Sequence, residues 1–227
     1  MKKKQRKKYN GAKGFHPAYW EKNYSDPASI DGVGNVREHA NYLKYLFELD
    51  FFEVQSICDF GFGMGLLFRE MLATFLPDRA YGIEPSKYMF DIVNTKIKLR
   101  VTEHIDLKIE PIDLLTWAKK RAKSQKVFDL GICTSVFQYL SDVEINTVLP
   151  MMAKKVKYLY FSVPTNRELD KQIKDLEFFD EYAIRRSKTS YHKLLKKHFT
   201  FVSGRLLESK VHFDETNSPF SEFIFRF

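Results

Sequence analysis

The spacing of hydrophobic positions changes repeatedly along this chain, and each change marks an element. Residues 54–60 (VQSICDF), 79–85 (RAYGIEP), 105–111 (IDLKIEP), 127–134 (VFDLGICT) and 156–163 (VKYLYFSV) are short apolar runs, which predicts five strands. Between them, apolar residues recur three and four positions apart, which predicts helices over 64–75, 86–100 and 114–123. Two more helices have marked starts: Ser141 with Glu144, and Thr165 with Glu168, have the spacing of a capping box. The second of these places Leu169, Ile173 and Leu176 on one face, and Pro150 is expected to kink or end the first. Upstream, Asn35 and Glu38 are placed to cap a helix that turns Val36, Ala40, Leu43 and Phe47 toward a core.

Strands that alternate with helices imply a parallel sheet covered on both faces. The rhythm breaks at the end, where FTFVSGRLLESKVHF and FSEFIFRF are strand-like with no helix between them. The expected fold is therefore α/β: a doubly wound, mostly parallel seven-stranded sheet with a terminal antiparallel hairpin. A single domain is expected over residues 15–227, with 15–50 as an N-terminal cap segment behind a basic, disordered tail at 1–14.

Charge and composition narrow the function. Every apolar run is interrupted by a charged residue before it reaches the ~18 positions a membrane-spanning helix needs. The basic start lacks the apolar stretch of a signal peptide, and the two cysteines, Cys58 and Cys133, fall inside expected buried strands, so a reducing cytoplasm is the expected setting. Six of the eight net positive charges belong to Lys2, Lys3, Lys4, Arg6, Lys7 and Lys8. That tail either grips phosphate, as in a nucleic acid, or is merely solvated; the remaining body is nearly neutral. The six histidines show no metal-ligand spacing, and no metal is expected.

The densest chemistry follows the first strand. In DFGFGMG, Gly61, Gly63 and Gly65 occupy the turn between strand and helix, at the carboxyl edge of the sheet where open α/β folds bind ligands. Bare backbone admits a ligand closely, and the helix start supplies free N–H groups. A dinucleotide fingerprint would need a third glycine at Leu66. Asp59 stands just before the turn, where its carboxylate repels pyrophosphate and favours a cationic, amino-acid-bearing ligand.

With the acid of YGIEPS, the acid of IEPIDLL and the run FDLGICTSVFQYLSD following in order, residues 54–163 resemble the class I S-adenosylmethionine-dependent methyltransferase family. The resemblance implies a Rossmann-like methyltransferase fold and S-adenosyl-L-methionine as cofactor. It implies that Asp59 and the three glycines hold the methionine portion, that Glu84, followed by Pro85, binds the ribose hydroxyls, and that Asp113 faces the adenine amino group between Ile112 and Leu114. Cys133, Thr134 and Ser135 would line the floor beneath the sulfonium, and Gly34 and Arg37 would lie near the cofactor carboxylate. Each position also has a plain structural use: Asp113 suits a helix N-cap, Cys133 suits packing, and Tyr19, Trp20 and Tyr24 suit either core packing or a shelter for the sulfonium or substrate.

The expected reaction is methyl transfer to a small-molecule oxygen or nitrogen acceptor, driven chiefly by alignment of the reacting atoms. The alternatives are a nucleic-acid or protein acceptor, or a cofactor-binding subunit without turnover. Tyr182, Arg185, Arg186 and Tyr191 are the candidate substrate residues, since paired arginines suit a carboxylate or phosphate. His39, Tyr182 and His192 are candidate general bases.

Overall fold

A computed structural model describes residues 15–24, 34–97, 104–121 and 126–222. The basic tail, the glycine at position 32 and the last five residues lie outside the described residues. Seven strands, β1 (Ser56–Phe60), β2 (Arg79–Ile83), β3 (Asp106–Glu110), β4 (Phe128–Thr134), β5 (Val156–Ser162), β6 (Phe199–Phe201) and β7 (Leu206–Ser209), form one sheet in the order β3-β2-β1-β4-β5-β7-β6. The first five are mutually parallel, whereas β7 runs antiparallel to both β5 and β6. The expected mixed sheet is present, and chain order reverses between β1 and β4, which makes their carboxyl ends the topological switch point.

The terminal hairpin differs from expectation in its location. Both of its strands come from FTFVSGRLLES; of the later run only residues 220–222 are described, and they form a turn that carries Phe220. Phe220 is fully buried, with its ring 5.8 Å from Phe47 and 5.3 Å from Tyr158, and it fills the core against one face of the sheet.

The helices are α1 (Pro17–Asn23), α2 (Val36–Leu49), α3 (Leu66–Phe75), α4 (Lys87–Ile97), α5 (Leu114–Arg121), α6 (Asp142–Lys155), α7 (Asn166–Leu176) and α8 (Lys188–Leu195). One core joins Leu43 and Phe47 of α2 and Phe68 and Met71 of α3 to one face of the sheet; a second joins Trp117 of α5, Leu149 and Met152 of α6 and Leu195 of α8 to the other. Both capping boxes form, at Ser141 with Glu144 and at Thr165 with Glu168. Asn35 makes no side-chain cap, and its carbonyl oxygen pairs with His39 instead.

Pro150 does not end its helix: α6 runs through it to Lys155. A proline inside a helix costs about 3 kcal/mol, and here Ile145, Val148, Leu149, Met152 and Ala153, all fully buried, hold the helix against the sheet.

The N-terminal cap segment shares the main core, because Phe47 packs on Phe52, Tyr158 and Phe220 as well as on its own helix. Phe47→Ala is therefore expected to lower the unfolding free energy by about 3–5 kcal/mol in a single urea transition. A second, separate transition would mean that α2 folds as an independent unit.

Candidate functional site

The glycine turn follows β1 at the switch point, and its three glycines are glycine for different reasons. A Cβ on Gly61 would stand 2.8 Å from Val136, and one on Gly65 would stand 2.8 Å from Val93, so both positions are closed by the protein itself. Gly63 differs. A side chain there would reach the rim of the Trp20 indole at 3.4 Å, an ordinary contact, and its φ of +52° is what disfavours other residues. Of the three, only Gly63 is bare toward the mouth of the site.

Glu84, just past β2, fixes that turn in place. Its Oε2 accepts the Gly63 N–H at 2.8 Å and its Oε1 accepts the Ser86 N–H at 2.8 Å. Each carboxylate oxygen keeps a second lone pair for a ligand donor. Ser86 extends the link: its hydroxyl donates to the Phe15 carbonyl at 2.8 Å and accepts the Trp20 Nε1–H at 3.1 Å. Trp20 in turn lies over Gly63, so turn, acid, serine and α1 close into a ring of contacts.

Two buried acids face this arrangement without a protein cation. Asp59 and Glu84 are 3% and 4% exposed, and among the described residues neither makes an ion pair. Burial pushes the Glu84 carboxyl up to about 7 despite the two backbone donors that favour its charge. Burial, with Glu84 close by, holds Asp59 well above the usual carboxylate range. Desolvated acids in this state favour a ligand that supplies positive charge or hydroxyl donors. Burial and Asp59 likewise raise the Cys133 thiol, which packs in the core and is no nucleophile.

The loop after β4 borders the turn from the other side. Thr134 is half-buried, while Ser135 is exposed with a left-handed φ of 55° and donates its N–H to the Ser162 carbonyl at 2.9 Å. Strain of this kind on a residue other than glycine gathers at functional loops. Asp113 does serve as a helix cap: its two oxygens accept the Thr116 N–H and hydroxyl, each at 2.8 Å. Leu114 is buried in the core beside Trp117, and Ile112 is half-buried against the same cluster. Pro85, half-buried, follows Glu84 directly.

Several candidate residues are drawn away from the turn. Arg186 is consumed structurally: it donates to Asp142, to the Phe137 carbonyl and to the Leu140 carbonyl, with its guanidinium 5.7 Å from the Tyr191 ring centre. Tyr191 is buried beneath it. Arg185 binds Asp170 at 2.6 Å and the Asn166 carbonyl. The pair therefore presents no anion-binding fork. His192 is exposed and rests on Phe201 of edge strand β6, four strands from β1 and so about 19 Å across the sheet. His39 is buried, with hydrogen bonds to the Tyr160 hydroxyl, to Asn35 at 3.1 Å and to the Arg205 guanidinium at 3.3 Å. Gly34 is exposed, and Arg37 faces solvent beside Glu70 on α3.

Tyr182 does join the mouth, with its ring 5.7 Å from Tyr19 and 6.4 Å from Phe15. Sequence reading missed Ser86, Val136, Tyr139 and Asp180, which carry no motif and acquire meaning only when segment 15–24 folds over the turn. Among the described residues no group of three or more His, Cys, Asp or Glu side chains is placed to hold a metal.

The sheet, mostly parallel with its antiparallel end, matches the Rossmann-like methyltransferase fold. No family model and no curated protein sequence matches the chain. Among solved structures it is similar to a S-adenosylmethionine-dependent methyltransferase from Clostridium acetobutylicum ATCC 824, with a TM-score of 0.63, 11% identity and coverage of 85% of this chain and 96% of that one. Magnesium protoporphyrin IX methyltransferase from Synechocystis PCC 6803, with bound S-adenosylhomocysteine (SAH), superposes at a TM-score of 0.57 with 18% identity, covering 88% of this chain and 95% of that one. The N-methyltransferase NodS from Bradyrhizobium japonicum WM9, also in complex with SAH, gives 0.54 with 14% identity over 82% and 96%.

Arg186→Met strands two carbonyls, so a loss of about 1–3 kcal/mol in urea unfolding is expected. Arg185→Met, which breaks an exposed pair, is expected to cost under about 1 kcal/mol. Equal effects would show that Arg186 is no structural clamp.

Proposed function

We propose that this protein is an enzyme that binds S-adenosyl-L-methionine and transfers its methyl group to a small-molecule oxygen or nitrogen acceptor. The observation that carries this reading is the buried Glu84 carboxylate, which holds the Gly63 and Ser86 N–H groups while keeping a lone pair on each oxygen for the two ribose hydroxyls. Asp59, buried without a counter-cation, suits the ammonium of the methionine portion. Gly63 lets that portion lie against the backbone beneath Trp20. In this reading Asp113 holds its helix cap with one set of lone pairs and offers the others to the adenine amino group beside Ile112. Cys133, Thr134 and the strained Ser135 border the sulfonium.

The cofactor supplies an already activated methyl group. The protein's own residues have three tasks: Glu84 and the turn fix the cofactor's orientation, segment 15–24 closes the mouth against water, and the loops after β4 and α7 present the acceptor in line. Alignment of this kind is worth up to ~7–11 kcal/mol, enough to drive the reaction without a protein nucleophile. A small acceptor is favoured because α1 and Tyr182 crowd the mouth with aromatic rings. Two of the similar structures are likewise enzymes whose names carry small or natural-product molecules, magnesium protoporphyrin IX and plantazolicin.

Calorimetry is expected to show binding of SAH to the full-length chain. Glu84→Ala should weaken it by about 1.5–3 kcal/mol, the range for a hydrogen bond to a charged group. Gly63→Val should abolish it while the far-ultraviolet dichroism of a folded α/β domain is kept. Binding of NAD in place of SAH, or full affinity in Glu84→Ala, would contradict the assignment.

A further inference from the structure

A second concentration of chemistry lies where segment 15–24 meets the loops after β4 and α7. The hydroxyls of Tyr19 and Tyr139 are 3.0 Å apart, and Tyr139 donates to Asp180 Oδ2 at 2.6 Å. Each hydroxyl has one proton, so with Tyr139 donating to Asp180 it is Tyr19 that donates to Tyr139, and the Tyr24 hydroxyl, which also bonds Tyr19, donates to Tyr19. The chain of donors runs from Tyr19 through Tyr139 to Asp180, with members from three separate segments. Packing alone would not call for it, because burying polar groups is costly and phenylalanine would fill the same space.

Aromatic rings surround this chain. Phe15 lies 4.8 Å from Tyr139, and Tyr24 and Tyr182 lie 6.2 Å and 5.7 Å from Tyr19. The next residue along α1 after Tyr19 is Trp20, its ring 5.7 Å from that of Tyr19, and Trp20 covers Gly63, so the head of the donor chain adjoins the residue that covers the glycine turn. Among the described residues Asp180 has no ion pair. The groups that act on it are the Tyr139 hydroxyl, the Tyr182 and Ala183 N–H groups and the acidic Glu181, and none of them is a cation. Burial holds its carboxyl above the usual range, so a positive charge arriving nearby would be favoured. A carboxylate lacking a cation, at the end of a hydroxyl chain flanked by aromatic rings, suits an organic ammonium.

Resting on the methyl-transfer reading above, we infer that this aromatic-walled donor chain receives the methyl acceptor, and that the acceptor is an amine that arrives as its ammonium ion. The ammonium sits at the Tyr19 end against the rings. One N–H proton passes to the Tyr19 oxygen as Tyr19 hands its own proton to Tyr139 and Tyr139 hands its own to Asp180. The freed nitrogen lone pair then bonds to the methyl carbon as the carbon–sulfur bond breaks, and that bond's electron pair stays on sulfur. The product leaves as a methylated ammonium, and Asp180 releases its proton to solvent, so one proton is liberated per transfer.

The test uses the full-length chain and begins with SAH titration, whose failure would strike the methyl-transfer reading itself. With SAH bound, benzylammonium is expected to bind at least tenfold more tightly than benzyl alcohol, its neutral counterpart. Asp180→Asn should cancel that preference, and Asp180→Glu should restore part of it. Tyr182→Ala, at a half-buried position, should weaken benzylammonium severalfold without loss of the thermal unfolding transition. Equal binding of the two probes by wild type, no binding of the cation, or a preference that survives Asp180→Asn would overturn the proposal while leaving SAH binding intact.

Discussion

The site rests on one carboxylate. Glu84 sits at the end of β2 with an oxygen on the Gly63 N–H and an oxygen on the Ser86 N–H, and so it ties the turn after β1 to the start of α4. From Ser86 the same link passes to the Phe15 carbonyl and to the Trp20 indole, which returns to Gly63. The glycine turn, the acid and the covering segment are therefore one connected unit. Loss of the carboxylate would release the turn and the cover together. The energetic tension is plain: a buried acid is held near the boundary of ionisation, stabilised by two backbone donors and opposed by desolvation.

The fold positions that unit. Strand order reverses between β1 and β4, so two loops diverge at their carboxyl ends and leave a crevice that no crossover fills. Val136 from the β4 side closes over Gly61, and Val93 of α4 closes over Gly65, which fixes the turn from both flanks. α1, only seven residues long, depends on its aromatic contacts with the mouth, since a helix of that length has little stability of its own. Tyr139 and the glycine turn thus share the same cover, with Tyr19 bonded to the first and Trp20 lying over the second.

Most of the fold was legible in the sequence, because four of the five parallel strands, β1, β2, β4 and β5, are largely buried and read as near-continuous apolar runs. At Pro150 tertiary burial outweighs the local tendency of proline to end a helix, since α6 continues through it to Lys155. The sequence also located the glycine turn and Glu84, whose chemistry depends on neighbours close in the chain. Arg185 and Arg186 misled. Adjacent arginines suggest an anion site, yet Arg186 is spent on the carbonyls of Phe137 and Leu140, a use that exists only once α7 and its following loop fold back. Tyr139 and Asp180 were invisible for the same reason, since they lie 41 residues apart and meet a third partner 120 residues from Tyr139.

In the proposed function a ligand's hydroxyl donors complete Glu84. Its folded carboxyl titrates at about 7 against an ordinary 4.5, so the free protein holds a proton at pH 6.5 that an unfolded chain would have released. Donors from a ribose favour the charged carboxylate, lower that value and expel the proton on binding. The decisive measurement is SAH calorimetry at pH 6.5 in buffers of different ionisation enthalpy. Proton release on binding is expected to be smaller in Glu84→Gln than in wild type by about half to one proton per site; equal release in the two, or uptake by wild type, would contradict it.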